Sequence, residues 1–236
     1  MSLSEDDQKR LAALAALSEV RDGMVLGLGT GTVAAHFIRA LGALCTEKGW
    51  CIRGVPTSEA TAALARDVGI PLTDLDREER LALTVDGADE IGPGLALIKG
   101  GGGALLREKI VAAASDRVII VAQGKKAVDR LGAFPLPVEI VPFGAASTLR
   151  QVRAALETAG LDDAPVCPRM KPDNEPFVTD SGMHIYDCAC GAIPDPAALA
   201  RALKAIPGVI DHGLFIGLSH LALIADETGQ VRRLTG

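Results

Sequence analysis

A chain of 236 residues that is 48% hydrophobic and 23% charged carries enough apolar mass for one large core, or for a large and a small domain. It has 24 basic and 30 acidic residues, a formal charge of −6, no basic run and 3% aromatic residues. That excludes a nucleic-acid surface, which needs clustered Lys/Arg or stacking rings, and an anionic ligand must be held by local features against the overall field.

The start, MSLSEDDQKR, is acidic and polar and does not read as a signal peptide. Residues 5–20 read as a helix with apolar positions Leu11, Leu14, Leu17 and Val20, and Met24 to Leu28 as a short buried strand. Ala34 to Cys45 reads as a helix, Cys51 to Val55 as a strand, Ser58 to Val68 as a helix, and Leu81 to Val85 and Leu95 to Ile98 as strands. Ala104 to Ala114 is helical and Val118 to Ala122 a β-branched strand. Short apolar strands separated by helices predict a parallel sheet covered on both faces. Past Leu131 the texture changes. Val138 to Val141 reads as a strand, and Ala145 to Ala159 as a helix stopped by Gly160. Val166 to Cys167, Phe177 to Thr179 and His184 to Cys190 are strand-like, and Pro196 to Ala205 is a helix opened by proline. The order β-α-β-β-β-α-β predicts a small α+β domain of split-βαβ type over 134–210. His220 to Asp226 and Val231 to Leu234 read as a hairpin returning to a larger domain of residues 1–133 plus 211–236.

No apolar run approaches the roughly 18 residues that span a bilayer, so no membrane partner is expected. Five cysteines at 45, 51, 167, 188 and 190 have no framework spacing, which points to a reducing, cytoplasmic compartment. Cys188 and Cys190 lack a second Cys/His pair at ligand spacing and read as small buried side chains, and no metal site is expected. His36, His184, His212 and His220 read as structural or surface residues.

Three loops carry chemistry. Gly27-Leu28-Gly29-Thr30-Gly31-Thr32-Val33 joins a strand to a helix, and its glycines and helix N-terminus form an anion cradle. It fits a loose dinucleotide fingerprint, but the next strand ends in hydroxyl residues, Thr57-Ser58, where a ribose-holding acid belongs. A Walker loop is excluded because no Gly-Lys-Ser/Thr follows. The second loop, Thr84-Val85-Asp86-Gly87-Ala88-Asp89-Glu90, crowds three carboxylates into five residues, which is costly unless they are solvated, paired or used. The third runs from Lys99 through Gly100, Gly101, Gly102 and Gly103 into a helix that carries Glu108. Four glycines cost backbone entropy and mark a backbone that must pass close to something. Together the residues describe an anion-binding acid/base site.

The combination resembles the type A ribose-5-phosphate isomerase family. The matching pieces, in family order, are GLGTGTVAAHFI (27–38), PTSEAT (56–61), TVDGADEI (84–91), IKGGGGALLREKI (98–110), GKKAVDRLGAFPLPVEI (124–140), PFVTDSG (176–182) and IPGV…GLF (206–215). The resemblance implies an α/β fold with a Rossmann-like parallel-sheet domain and a smaller ferredoxin-like α+β domain. It implies interconversion of D-ribose 5-phosphate and D-ribulose 5-phosphate without metal or cofactor, in a homo-oligomer, dimer or tetramer. By the same resemblance Glu108 is the base, and Asp86, Asp89 and Lys99 are its catalytic companions. Thr30, Gly31, Thr32, Val33, Asp86, Gly87, Ala88, Asp89, Lys99, Gly100, Gly101, Gly102 and Lys126 hold the substrate, with Lys9 a weaker match near the phosphate. Two departures stand out: Val33 where many members have a hydroxyl residue, and Gln123 where an acidic residue is common. The rival readings are an aminosugar-phosphate isomerase or deaminase and a non-enzymatic sugar-phosphate sensor. A sensor needs an effector segment, and none is visible. A dehydrogenase is a more distant third.

Overall fold

The computed structural model describes residues 2–236. In chain order the elements are α1 (Glu5–Ala16), β1 (Val25–Leu28), α2 (Thr32–Lys48), β2 (Arg53–Pro56), α3 (Glu59–Asp67), β3 (Leu83–Asp86), β4 (Glu90–Ile91), β5 (Leu97–Ile98), α4 (Leu105–Ala113) and β6 (Val118–Gln123). There follow β7 (Leu136–Ile140), α5 (Ala145–Thr158), β8 (Val166–Pro168), β9 (His184–Cys188), α6 (Pro196–Lys204), β10 (Val209–His212), β11 (Leu214–Phe215), β12 (Leu221–Ala225) and β13 (Val231–Thr235). The chain divides into two compact units. One holds the residues up to Ala88, then Arg107–Ala127 and Gly217–Gly236; the other holds Asp89–Leu106 and Val128–Ile216. Residues 89–106, 128–133 and 211–216, expected with the larger domain, therefore group with the smaller one.

The first unit is a six-stranded sheet in the order β2-β1-β3-β6-β12-β13. All neighbours are parallel except β13, which returns antiparallel on β12 as a hairpin. Every residue of β3, β6 and β12 is buried; β12 and Val118–Ala122 of β6 are unbroken apolar runs, whereas β3 carries the buried Thr84 and Asp86. Ala12, Ala16, Phe37, Ile38 and Leu41 from α1 and α2 pack with Leu26, Leu28, Val85 and Val121 in one cluster. Complete burial of Phe37 or Leu41 contributes about 1.5–3 kcal/mol each. Helix starts follow their caps: the Ser4 hydroxyl accepts from Asp7 N, and Ser58 from Thr61 N. Because β2 lies on one side of β1 and β3 on the other, the strand order switches direction between β1 and β3. Ligands of open α/β sheets bind outside the strand ends at such a point.

The second unit contains β7-α5-β8-β9-α6-β10 with sheet order β10-β7-β9-β8, antiparallel throughout, which is the ferredoxin-like arrangement. Its core is Leu136, Val138, Ile140, Val152, Leu156, Leu199 and Leu203. The expected third inner strand is absent: Phe177–Thr179 touches its neighbour only at one bridge, Val178 to His184. A separate antiparallel sheet, β11-β5-β4, corrects a second expectation. The strand before Lys99 is not in the parallel sheet, and it is two residues long because Leu95 turns through φ 57°.

Glu139, in β7, is 1% exposed. The Thr179 hydroxyl donates to Oε1 at 2.8 Å, Leu106 N–H donates to the carboxylate, and Oε2 has no hydrogen-bond partner among the described residues. Burial pushes its pKa up, the Thr179 bond opposes this, the Asp211 charge adds to it, and the Leu106 bond opposes again. With a raised folded pKa, the native state keeps a proton that the unfolded chain has already released. This contribution to stability is present at low pH and is lost as pH rises from the ordinary Glu range through the raised value. Melting curves over that range should show Glu139→Gln gaining on the parent as pH rises; parallel curves would contradict the assignment.

Candidate active site

The loops after β1 and β3 meet at the switch point of the first unit. Thr30 N donates to Asp86 Oδ1 at 3.1 Å, Gly87 N donates to the same oxygen at 2.7 Å, and Gly29 N donates to Val85 O at 3.0 Å. Asp86 is 2% exposed. Gly29 is required for this approach, since a Cβ there would lie 2.1 Å from Asp86 Oδ1. Behind the loop, the Thr30 hydroxyl lies 2.7 Å from Thr57 Oγ1 and donates to Ser58 Oγ at 2.9 Å. Thr61 Oγ1 donates to Gly29 O at 2.9 Å. Thr57, Ser58 and Thr61 are buried and Thr30 partly so, and through these contacts the Thr30 side chain braces the loop. Thr57, Ser58 and Thr61, hydroxyl residues where a dinucleotide site has an acid, are the scaffold of the cradle.

Gly31 and Thr32 are exposed, Val33 is partly buried, and α2 opens at Gly31 without a side-chain cap. Its first-turn amides and about half a positive charge therefore face outward, as an anion site needs. Val33, the departure from a hydroxyl, packs against the apolar cluster with its side chain and leaves the helix-start backbone unchanged. Beyond the end of β6, Gly124–Lys126 forms a 3₁₀ turn with Lys126 partly buried. Glu5 accepts from Lys125 and from Gln123 Nε2, at 3.3 Å in the latter case. The Lys125 bond and charge, followed by the charges of Lys9 and Lys126, hold the Glu5 carboxyl below its usual range. Gln123 is thus satisfied by an acid on α1, a partner that an acidic residue at 123 would repel.

In the second unit, Asp89 is tied to the glycine run. Its N–H donates to Ile98 O at 2.8 Å, and its Oδ2 accepts from Gly101 N at 2.8 Å. A Cβ at Gly101 would come within 2.7 Å of Asp89 Oδ1, so this glycine is needed for the contact. Lys99 is 4% exposed, its N–H donates to Gly213 O at 2.9 Å, and its ammonium stands 5.6 Å from the Phe215 ring centroid. Gly100 is buried and Gly101 and Gly102 are exposed. Glu90, read only as part of the acidic cluster, is a structural anchor: its two oxygens accept from Gly132 N at 2.7 Å and Phe134 N at 2.5 Å. Glu108, in the first unit, falls in the first turn of α4, the helix that follows the glycines, and is 5% exposed. Buried ionisable side chains are costly, and in clefts they mark functional positions.

Three of the four histidines, His36, His212 and His220, have structural partners. His36 Nε2 is 3.0 Å from Asp6 Oδ1, His220 Nδ1 accepts from Val118 N, and His212 Nδ1 accepts from Leu214 N. Cys188 and Cys190 are buried thiols whose pKa values burial raises, to about 11 for Cys190. Among the described residues no three His, Cys, Asp or Glu side chains gather as a metal would require, and no helix is long and apolar enough to cross a membrane.

The family model described as ribose 5-phosphate isomerase A (phosphoriboisomerase A) matches residues 53–229. Ribose-5-phosphate isomerase A of Parvibaculum lavamentivorans is 54% identical over 96% of this chain and 97% of its own length. That of Nitrobacter hamburgensis is 56% identical over 95% of this chain and 96% of its own. Among solved structures, a D-ribose-5-phosphate isomerase in complex with phospho-erythronic acid superposes with a TM-score of 0.90 at 34% identity, covering 99% of this chain and 100% of that one. The enzyme of Methanocaldococcus jannaschii gives 0.89 at 37% identity, with the same coverage.

Proposed function

This chain belongs to the ribose 5-phosphate isomerase A family, and from that membership we propose that it interconverts D-ribose 5-phosphate and D-ribulose 5-phosphate through a cis-enediolate. The supporting observation is a carboxylate and an ammonium, Glu108 and Lys99, both buried and separated in sequence only by the glycine run and the first turn of α4. The proton at C2 of the open-chain aldose is weakly acidic, so the reaction needs a base at carbon and a cation or donor at oxygen.

In this reading Glu108 removes the C2 proton. The C–H electron pair becomes the C1=C2 double bond, and the carbonyl π electrons move to O1. Glu108 then returns the proton to C1, the O2 hydroxyl gives its proton to Asp86 or Asp89 and becomes the ketone oxygen, and O1 takes up a proton to become the C1 hydroxyl. One carboxylate serves both carbons by pivoting about 1–2 Å. Lys99 stabilises the charge on oxygen. Asp86 and Asp89 carry the hydroxyl protons, including those exchanged when the furanose ring opens. The outward amides at Gly31, Thr32 and Val33, with Lys126, hold the phosphorylated end, and Gly87, Ala88 and Gly100 to Gly102 line the sugar. The reaction needs no redox cofactor, and a metal-free mechanism, a homo-oligomer of two or four copies and a cytoplasmic location are proposed on the same resemblance. A direct assay of the purified protein with ribose 5-phosphate tests the reading. Formation of ribulose 5-phosphate is the expected result, and activity on glucosamine 6-phosphate instead would overturn it.

A further inference from the structure

The glycine run after Lys99 is gripped from one side by a residue that the reaction scheme does not use. Arg169 follows β8 and its side chain is 14% exposed. Its backbone is fixed by Arg169 N donating to Ile185 O at 2.8 Å and by Phe177 N donating to Arg169 O at 2.9 Å. Nε and Nη2 grip the Asp187 carboxylate at 2.9 and 2.5 Å, and Nη1 donates to the carbonyls of Gly100 at 2.7 Å and Gly101 at 3.2 Å. The guanidinium also stands 5.9 Å from the Phe177 ring centroid. That ring closes on the run's last glycine, where a Cβ on Gly103 would come within 2.4 Å of it.

The consequence follows from peptide geometry. In a trans peptide unit, the carbonyl of one residue and the N–H of the next point in opposite directions. Fixing the Gly100 and Gly101 carbonyls on Arg169 therefore aims the Gly101 and Gly102 N–H groups the other way. The Gly101 N–H is found there, on Asp89 Oδ2 at 2.8 Å. Glycine itself supplies no such preference, because without Cβ it accepts either peptide orientation, and Gly100 already sits at φ 104°. A run of four glycines next to reacting oxygens could equally present carbonyls, which would repel a developing negative charge.

We propose that Arg169, held by Asp187, is a positioning residue for the isomerisation: it sets the peptide planes of the Lys99–Gly102 loop so that the Gly101 amide holds Asp89 in place and the Gly102 amide serves as a donor to a sugar oxygen. The proposal rests on reading that loop as a substrate loop. Lysine cannot replace it, since a compact ammonium cannot span a bidentate carboxylate and two carbonyls at once.

The test compares Arg169→Lys, Arg169→Ala and Asp187→Asn with the parent, using Lys99→Gln as the control for the loop. Circular dichroism gives the folded fraction, steady-state kinetics with ribose 5-phosphate give kcat and KM per folded molecule, and calorimetry gives the affinity for phospho-erythronic acid. A displacement of about 1 Å in such a loop costs on the order of 10²-fold. The expected result is a fall of that size in kcat/KM for folded Arg169→Lys, a smaller fall for Asp187→Asn, and phospho-erythronic acid affinity falling in step. Added guanidinium should restore part of the activity of Arg169→Ala. Normal kcat and KM per folded molecule in Arg169→Lys, with only a lower melting temperature, would make Arg169 a fold-stabilising residue and overturn the proposal. If Lys99→Gln is inactive in the same series, that failure belongs to Arg169 alone. If Lys99→Gln is fully active, the substrate-loop reading fails and takes the proposal with it.

Discussion

Glu108→Gln is expected to lower kcat by about 10³- to 10⁴-fold while KM for ribose 5-phosphate changes by no more than a few-fold. The substitution keeps shape and volume in a side chain that is 5% exposed, and removes its charge and its ability to accept a proton. Because α4 begins at Leu105, position 108 lies in a fixed first turn, and the amide takes the place of the carboxylate without moving the backbone. Glu108→Asp offers a graded control: it keeps the base and withdraws it by roughly one carbon–carbon bond, for which about 10²-fold is expected. The decisive readout is proton exchange. In heavy water the parent should place deuterium at C1 of the ketose product, and Glu108→Gln should not do so at any appreciable rate. Exchange and turnover near the parent's values in the Gln variant would show that another group removes the carbon-bound proton.

The sequence made the chemistry of Glu108, Lys99, Asp86 and Asp89 readable because each lies in a short chain-local pattern of glycines and acids. The parallel sheet was readable for a related reason. β6 and β12 are buried on both faces and so appear as nearly continuous apolar segments. What escaped depends on contacts between distant residues. β4, β5 and β11 are two residues long, too short for any period to register, and their pairing assembles segments near 90, 98 and 214. Phe177–Thr179 has the composition of a strand, but pairing decides strandhood, and only Val178 has a bridge. Arg169 sits in CPRMKPDNEPF, a proline-broken, charged stretch that reads as surface, and its partners Gly100 and Gly101 lie 69 and 68 positions away. Glu90 and Glu139 show the same limit from the other side. A carboxylate in an acidic loop and one in a strand differ in role only through the backbone amides and hydroxyl that the fold brings to them.

Lys99→Met is expected to lower kcat by roughly 10²- to 10³-fold, the loss of about 3–4 kcal/mol of oxyanion stabilisation that one donor typically supplies. Two roles for this ammonium predict different kinetics. A lysine that merely attracts the phosphate acts equally on bound substrate and transition state, so its removal raises KM and leaves kcat alone. A lysine at the developing oxyanion acts mainly in the transition state, so its removal falls on kcat. Burial favours the second role: at 4% exposure beside the Phe215 ring, the charge is shielded from solvent and salt and works at short range. Methionine keeps the length and apolar character of the stem, which limits the packing change to the ammonium itself. Lys99→Arg should rescue poorly, because a planar guanidinium distributes its donors differently from the compact ammonium that stands over the Phe215 ring. Steady-state kinetics at low and high salt separate the two roles. A kcat defect that is the same at both ionic strengths supports the oxyanion role. A KM defect that salt imposes on the parent as well would return Lys99 to simple phosphate attraction and leave the loop amides to carry the oxyanion alone.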